Sequence, residues 1–150
     1  MIYSSMKNFK YSAGFSTALV LFSCGNTKSQ LPEIKPDTIT EHVKYDTDDP
    51  AIWINPEDAS QSIVFGTDKD TDGCIFAFDL EGKIIPEKSI PNIKRPNNVD
   101  LRYGFPVNDS TTTDIIAFTE RERKMLRIYS VPDMKPLDGG GFPVFVEDAN

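Results

Sequence analysis

The sequence predicts an all-β fold of the propeller type, with about two blades' worth of strands. Three observations predict it. Short apolar stretches are punctuated by Gly, Pro, Asn and Asp turns, no stretch carries a helical stripe, and the strand pattern recurs after roughly 50 residues. The 150 residues are 39% hydrophobic and 26% charged, enough for one core.

The first strand is expected over Ala51–Ile54, entered through Asp48-Asp49-Pro50 and closed by the turn Asn55-Pro56-Glu57-Asp58. Pro50 biases Asp49 towards an extended backbone, so the acidic pair sits on a stiff strand entrance. Ser62–Thr67 reads as the second strand and Asp68–Gly73 as its turn. Cys74–Leu80 alternates into a third strand with Cys74 buried, and Glu81-Gly82 turns the chain again. Lys83–Ile85 begins a fourth strand, an edge because Pro86 lacks an amide donor.

The pattern then repeats. Asp49-Pro50-Ala51-Ile52-Trp53 corresponds to Asn98-Val99-Asp100-Leu101-Arg102, 49 positions later. Thr67 and Lys69 correspond to Thr119 and Arg121 at an offset of 52, and Ala77–Leu80 to Ile128–Val131 at 51. Blades of this kind cannot bury their faces alone, which favours a propeller over a β-sandwich with two similar hairpins. Closed propellers have about four to eight blades, so the chain is expected to be the amino-terminal part of a longer protein. On its own it should expose strand edges and be prone to aggregation.

Lys7 and Lys10 precede an apolar run from Ala13 to Phe22 that is too short to span a bilayer. Leu21-Phe22-Ser23-Cys24 resembles a bacterial lipobox, which implies cleavage after residue 23 and lipidation of Cys24. The expected organisation is a signal peptide over 1–23, a tether over 24–41 and the folded part over 42–150. The protein would then be exported, monomeric and held at a bacterial membrane through Cys24. Removing the leader leaves 14 basic against 23 acidic residues, a net charge of −9. That balance argues against nucleic acid as a partner.

Absences narrow the chemistry. His42 is the only histidine, so neither a histidine nucleophile in an Arg-His-Gly signature nor a multi-histidine zinc site is available. Cys74 has no arginine six residues on, and Gly139-Gly140-Gly141 is not followed by Lys-Ser or Lys-Thr. What remains is oxygen ligands and fixed cations. Asp48 and Asp49 stand at one repeat and Asn97-Asn98-Val99-Asp100 at the next, so the two clusters should be neighbours. Carboxylate, amide and backbone oxygens form a hard-cation set suited to calcium. Lys69 and Arg121 end the second strands of both repeats, where they are either solvated turn charges or a cradle for phosphate. Asp68-Lys69-Asp70-Thr71-Asp72-Gly73 also matches the start of an EF-hand loop with Asp79 at its twelfth position. Its flanks read as strands, which favours a hairpin turn.

Asp48-Asp49-Pro50-Ala51-Ile52-Trp53 and Asn97-Asn98-Val99-Asp100-Leu101-Arg102-Tyr103 together resemble the two signature segments of the β-propeller phytases, alkaline calcium-dependent enzymes of the 3-phytase type. The resemblance runs from about residue 42 to 133. It departs upstream, where Tyr45-Asp46-Thr47 stands in place of the family's Asp-Ala-Ala or Asp-Ala-Thr. The resemblance implies a six-bladed propeller that hydrolyses phytate by metal-activated water. It implies calcium ligands at Asp48, Asp49 and the backbone carbonyls of Pro50 and Val99, with Asn98 and Asp100 as further candidates. It also implies that Lys69 and Arg121 bind phosphate and stabilise its charge. The competing readings are a calcium-binding propeller lipoprotein without catalysis, and another calcium propeller hydrolase such as a lactonase. The latter would leave Lys69 and Arg121 without a purpose.

Overall fold

The computed structural model describes residues 32–145, so the leader, Cys24 and the first part of the tether lie outside the described residues. The chain divides into Met1–Ile34 and Lys35–Asn150, and the architecture below is that of the second unit.

Among the described residues, eight strands form two four-stranded antiparallel sheets. The first holds β1 (Thr47–Trp53), β2 (Ile63–Asp68), β3 (Gly73–Phe78) and β4 (Ile90–Ile93), in that order. The second holds β5 (Pro96–Asn108), β6 (Thr111–Glu120), β7 (Met125–Val131) and β8 (Phe142–Pro143), again in chain order. Two consecutive four-stranded meanders are part of a β-propeller.

The repeat read from sequence is a repeat of register. Thr47 pairs with Asp68 and Pro50 with Gly66, so three steps along β1 oppose two along β2. Pro96 pairs with Glu120 and Val99 with Phe118, which places the same bulge at the equivalent point of β5. Beyond it, Ala51↔Phe65 matches Asp100↔Ala117, and Trp53↔Ile63 matches Arg102↔Ile115. The bulge carries Asp48 and Asp49 in one sheet and Asn97 and Asn98 in the other.

Two boundaries differ from the expectation. β1 starts at Thr47, so the acidic pair lies inside the strand and not ahead of it. The fourth strand is Ile90–Ile93 and not Lys83–Ile85; Ile84 makes only an isolated bridge with Phe78. Pro86 opens a short 3₁₀ turn, Pro86–Lys88, which ends the pairing. The Ala77 amide then donates to Ser89 Oγ at 3.1 Å, and Ile90 and Ile93 supply the buried residues that Lys83–Ile85 cannot. At the other end of the unit, the Glu41 amide donates to Gly82 O at 2.8 Å and its carboxylate accepts from the Ile84 amide at 2.8 Å. The last residue of the expected tether is thereby attached to the first sheet.

The core lies between the sheets. Trp53, Ile63, Phe65, Ile75 and Ala77 from the first meet Val99, Ile116, Phe118 and Val131 from the second. Alternation along β2 puts Ile63, Phe65 and Thr67 on the shared face. Trp53 Nε1 donates across the sheets to Asp114 Oδ2 at 2.7 Å, which satisfies the indole polar group in a buried setting. Cys74 lies in β3, buried, and desolvation followed by the nearby charge of Asp68 pushes its thiol up to about 12. It is therefore a packing residue and not a nucleophile.

The second sheet has an ionic centre that sequence reading did not find. Arg127 donates from Nε to Asp138 Oδ2 at 2.7 Å and from Nη1 to Glu120 Oε2 at 3.0 Å. The Asp138 side chain has no solvent exposure, and burial alone would raise its pKa. Hydrogen bonds from Arg127 and from the Ile128 and Gly140 amides outweigh that, and hold the carboxyl below its ordinary value of 3.8. A carboxyl lowered on folding stabilises the native state above its unfolded pKa, and that contribution disappears as pH falls through the folded one. Melts of the chain should therefore lose stability steeply below about pH 4. Asp138→Asn, which leaves Arg127 half-paired, should cost about 3–5 kcal/mol at neutral pH and show a flatter acid limb. An acid limb as steep as wild type would rule Asp138 out as its source.

Candidate functional site

The site lies at the β1–β5 junction, where the two bulges meet. Asp49 is half-buried, and its Oδ2 accepts the Val99 amide of the other sheet at 2.9 Å. Sequence reasoning expected the Asp48-Asp49 and Asn98-Val99 segments to be neighbours, and they touch through this bond. Val99 takes part here through its N–H, in addition to the carbonyl that the resemblance implied.

At the bulge Asp48 takes a different course from Asp49. Asp48 Oδ2 pairs with Lys69 Nζ at 3.0 Å, and Asp46 Oδ2 lies 3.6 Å from the same ammonium. The hydrogen bond with Asp48 is the main reason the Lys69 pKa is raised above its ordinary value, with the charge of Asp46 adding to it. Lys69 therefore carries its full charge across the physiological range. It follows β2 directly, and its amide donates to Asp46 O at 2.8 Å.

Arg121 occupies the equivalent place after β6, with its amide donating to Arg95 O at 3.1 Å. Its surroundings differ. It is exposed, and its guanidinium has no ion pair among the described residues. It lines a cavity of ≈ 340 Å³ together with Asn97, Asn98, Thr119 and Lys124. Asn98 accepts from Asn97 Nδ2 at 2.6 Å, and its own amide donates to Thr119 Oγ1 at 3.3 Å. Asp100 is exposed and accepts the neighbouring Leu101 amide at 2.8 Å. Pro50 sits opposite Gly66, just beyond the bulge.

Asp68 and Asp72 of the EF-hand-like stretch are spent on folding. Asp68 is buried and accepts two backbone amides, while Asp72 pairs with Lys94 Nζ at 3.0 Å. The stretch joins β2 to β3, so its flanks are strands.

The oxygens of Asp48, Asp49, Pro50 and Val99 suit calcium in kind. They fall short in number, since calcium takes about six to eight oxygens. Among the described residues no three His, Cys, Asp or Glu side chains are grouped to hold a metal. These residues can form one wall of a calcium shell and do not form the shell by themselves.

Thr67, Asp68, Thr119 and Glu120 are structural participants that sequence reasoning left without a role. A signal was present: in both repeats a Thr, an acid and a base stand in succession at the end of the second strand.

A family model described as Phytase matches residues 12–137. Among curated proteins, the chain is similar to the 3-phytase of Bacillus subtilis (strain 168). The identity is 33% over 86 residues, which is 56% of this chain and 21% of that protein, so the chain spans a minor part of its relative's length.

Asp49→Ala should leave the Val99 amide without its charged acceptor and destabilise the chain by about 1.5–3 kcal/mol in urea denaturation, with Asp49→Asn recovering part of the loss. An Asp49→Ala midpoint at the wild-type value would show that this bond does not join the sheets.

Proposed function

The chain belongs to the phytase family, and on that premise we propose that it is part of a phosphomonoesterase that hydrolyses phytate, myo-inositol hexakisphosphate, to lower inositol phosphates and phosphate. The observation that carries the reading is the repeat-related pair Lys69 and Arg121, flanking a junction of carboxylate and amide oxygens.

In this reading the two cations divide the work. Arg121 lines the cavity and binds a phosphate group through two parallel N–H donors. Lys69 starts in its pair with Asp48 and turns part of its charge to the transferring phosphoryl oxygens, where negative charge is greatest. Asp48 and Asp46 keep Lys69 charged and aimed until substrate arrives.

We further propose calcium dependence, with Asp48, Asp49 and the carbonyls of Pro50 and Val99 on one side of the shell and the remaining oxygens supplied from outside the described residues. Asn98 and Asp100 stand close in sequence to that shell. Calcium supplies local positive charge and a more acidic bound water. The requirement follows from charge: a chain of net −9 once the leader is removed must attract a polyanion.

The test is phosphate release from phytate by the full-length protein, with and without calcium. Activity lost on chelation and regained with calcium is expected, together with a melting temperature raised by calcium. Lys69→Ala should reduce turnover by about 100-fold or more. Calcium-dependent stability without hydrolysis would favour a binding propeller, and wild-type turnover in Lys69→Ala would show the cation is misassigned.

The leader and Cys24 support export and a lipid anchor, which we propose as the setting of the enzyme, with a single copy as the working unit. Membrane fractions should hold the wild type, and Cys24→Ser should move it to the soluble exported fraction. Equal partitioning of the two would refute the anchor.

A further inference from the structure

We infer that the triplet Thr67-Asp68-Lys69, repeated as Thr119-Glu120-Arg121, is a positioning clamp in which the buried Asp68 carboxylate holds the acidic segment 46–49 in line with Lys69. The inference rests on the reading of Lys69 as a phosphate-binding cation.

Asp68 is 1% exposed and has no ion pair among the described residues. A buried carboxylate without a cation is costly unless donors surround it. Its Oδ1 takes two, the Tyr45 amide at 3.0 Å and the Asp46 amide at 2.7 Å. The residues on either side grip the same segment. Thr67 Oγ1 accepts the Asp49 amide at 2.9 Å, and the Lys69 amide donates to Asp46 O at 2.8 Å. Three consecutive residues at the end of β2 thus fix the backbone at Tyr45, Asp46 and Asp49. The Lys69 ammonium then meets Asp46 and Asp48 from that fixed backbone.

The second repeat makes three of the four bonds, while the Arg95 amide, which stands where Asp46 does, donates to Asp70 O at 2.9 Å instead. Thr119 Oγ1 accepts the Asn98 amide at 3.3 Å, Glu120 Oε1 accepts the Lys94 amide at 2.8 Å, and the Arg121 amide donates to Arg95 O at 3.1 Å. Glu120 has no solvent exposure either. Its longer side chain also reaches Arg127, a bond that Asp68 has no counterpart for, because Phe76 stands at the position equivalent to Arg127. Three of these bonds recur in two stretches of different composition, which ties them to the bulge. Three carboxylates at positions 46, 48 and 49 repel one another; Lys69 offsets Asp46 and Asp48, and the bonds to Asp68 and Thr67 fix the backbone that carries them.

The experiment follows amide hydrogen exchange residue by residue in the full-length protein, alongside titration with inorganic phosphate in the presence of calcium. Asp68→Ala should speed exchange at Tyr45 and Asp46 by about tenfold or more, leave β6 and β7 unchanged, and weaken phosphate binding by a similar factor. Asp68→Asn keeps an accepting oxygen and should fall between the two. Should Asp68→Ala fail to fold, Thr67→Val keeps the shape and removes the acceptor, and should release the Asp49 amide alone. Unchanged exchange at Tyr45 and Asp46, or acceleration spread evenly over both sheets, would overturn the clamp. Wild-type protein that binds no phosphate, with selective release of the two amides in Asp68→Ala, would keep the clamp and refute the phosphate reading.

Discussion

One hydrogen bond joins the two sheets at the site: the Asp49 carboxylate accepting the Val99 amide. The apolar core behind it, with Phe65 and Phe118 fully buried, supplies most of the cohesion. That cohesion is non-directional, and burial alone would tolerate a shift of one sheet over the other. A charged acceptor reaching a particular amide does not. Together with the Trp53–Asp114 bond it sets the first sheet against the second, and the approach of the two bulges follows from that register.

The two repeats share a backbone and differ in charge. Where the first has Asp49 the second has Asn98, and where the first pairs Lys69 with Asp48 the second leaves Arg121 facing a cavity. A symmetrical site would have carried either two carboxylate clusters, which repel, or two free cations, which bind anions without discrimination. The observed division places a neutral amide and an exposed guanidinium in one repeat, and Lys69 paired with Asp48 and Asp46 in the other.

Much of this was legible as pattern. The three strands of the first meander, the offset of about 50 residues and the pairing of Thr67 with Thr119 and Lys69 with Arg121 all follow from spacing, because a strand repeats every two residues and a blade every four strands. The fourth strand was not legible: Lys83–Ile85 carries strand-like residues, and only the turn at Pro86 and the burial of Ile90 and Ile93 move the pairing downstream. Asp68 was legible in part. The strand-like flanks of its acidic run favoured a hairpin turn over a metal loop, whereas its part as an acceptor for backbone amides follows from burial, which the sequence does not show.

By itself the sequence determined the fold class, the repeat and which residue types could meet an anion, since these depend on periodicity and chemical type. Tertiary structure alone decided that Asp49 would bridge the sheets while its neighbour Asp48 paired with Lys69. Adjacent carboxylates are alike as letters. Their directions are set by the backbone torsions of a bulge, and those torsions exist only once β1 has been pinned to β2 and laid beside β5.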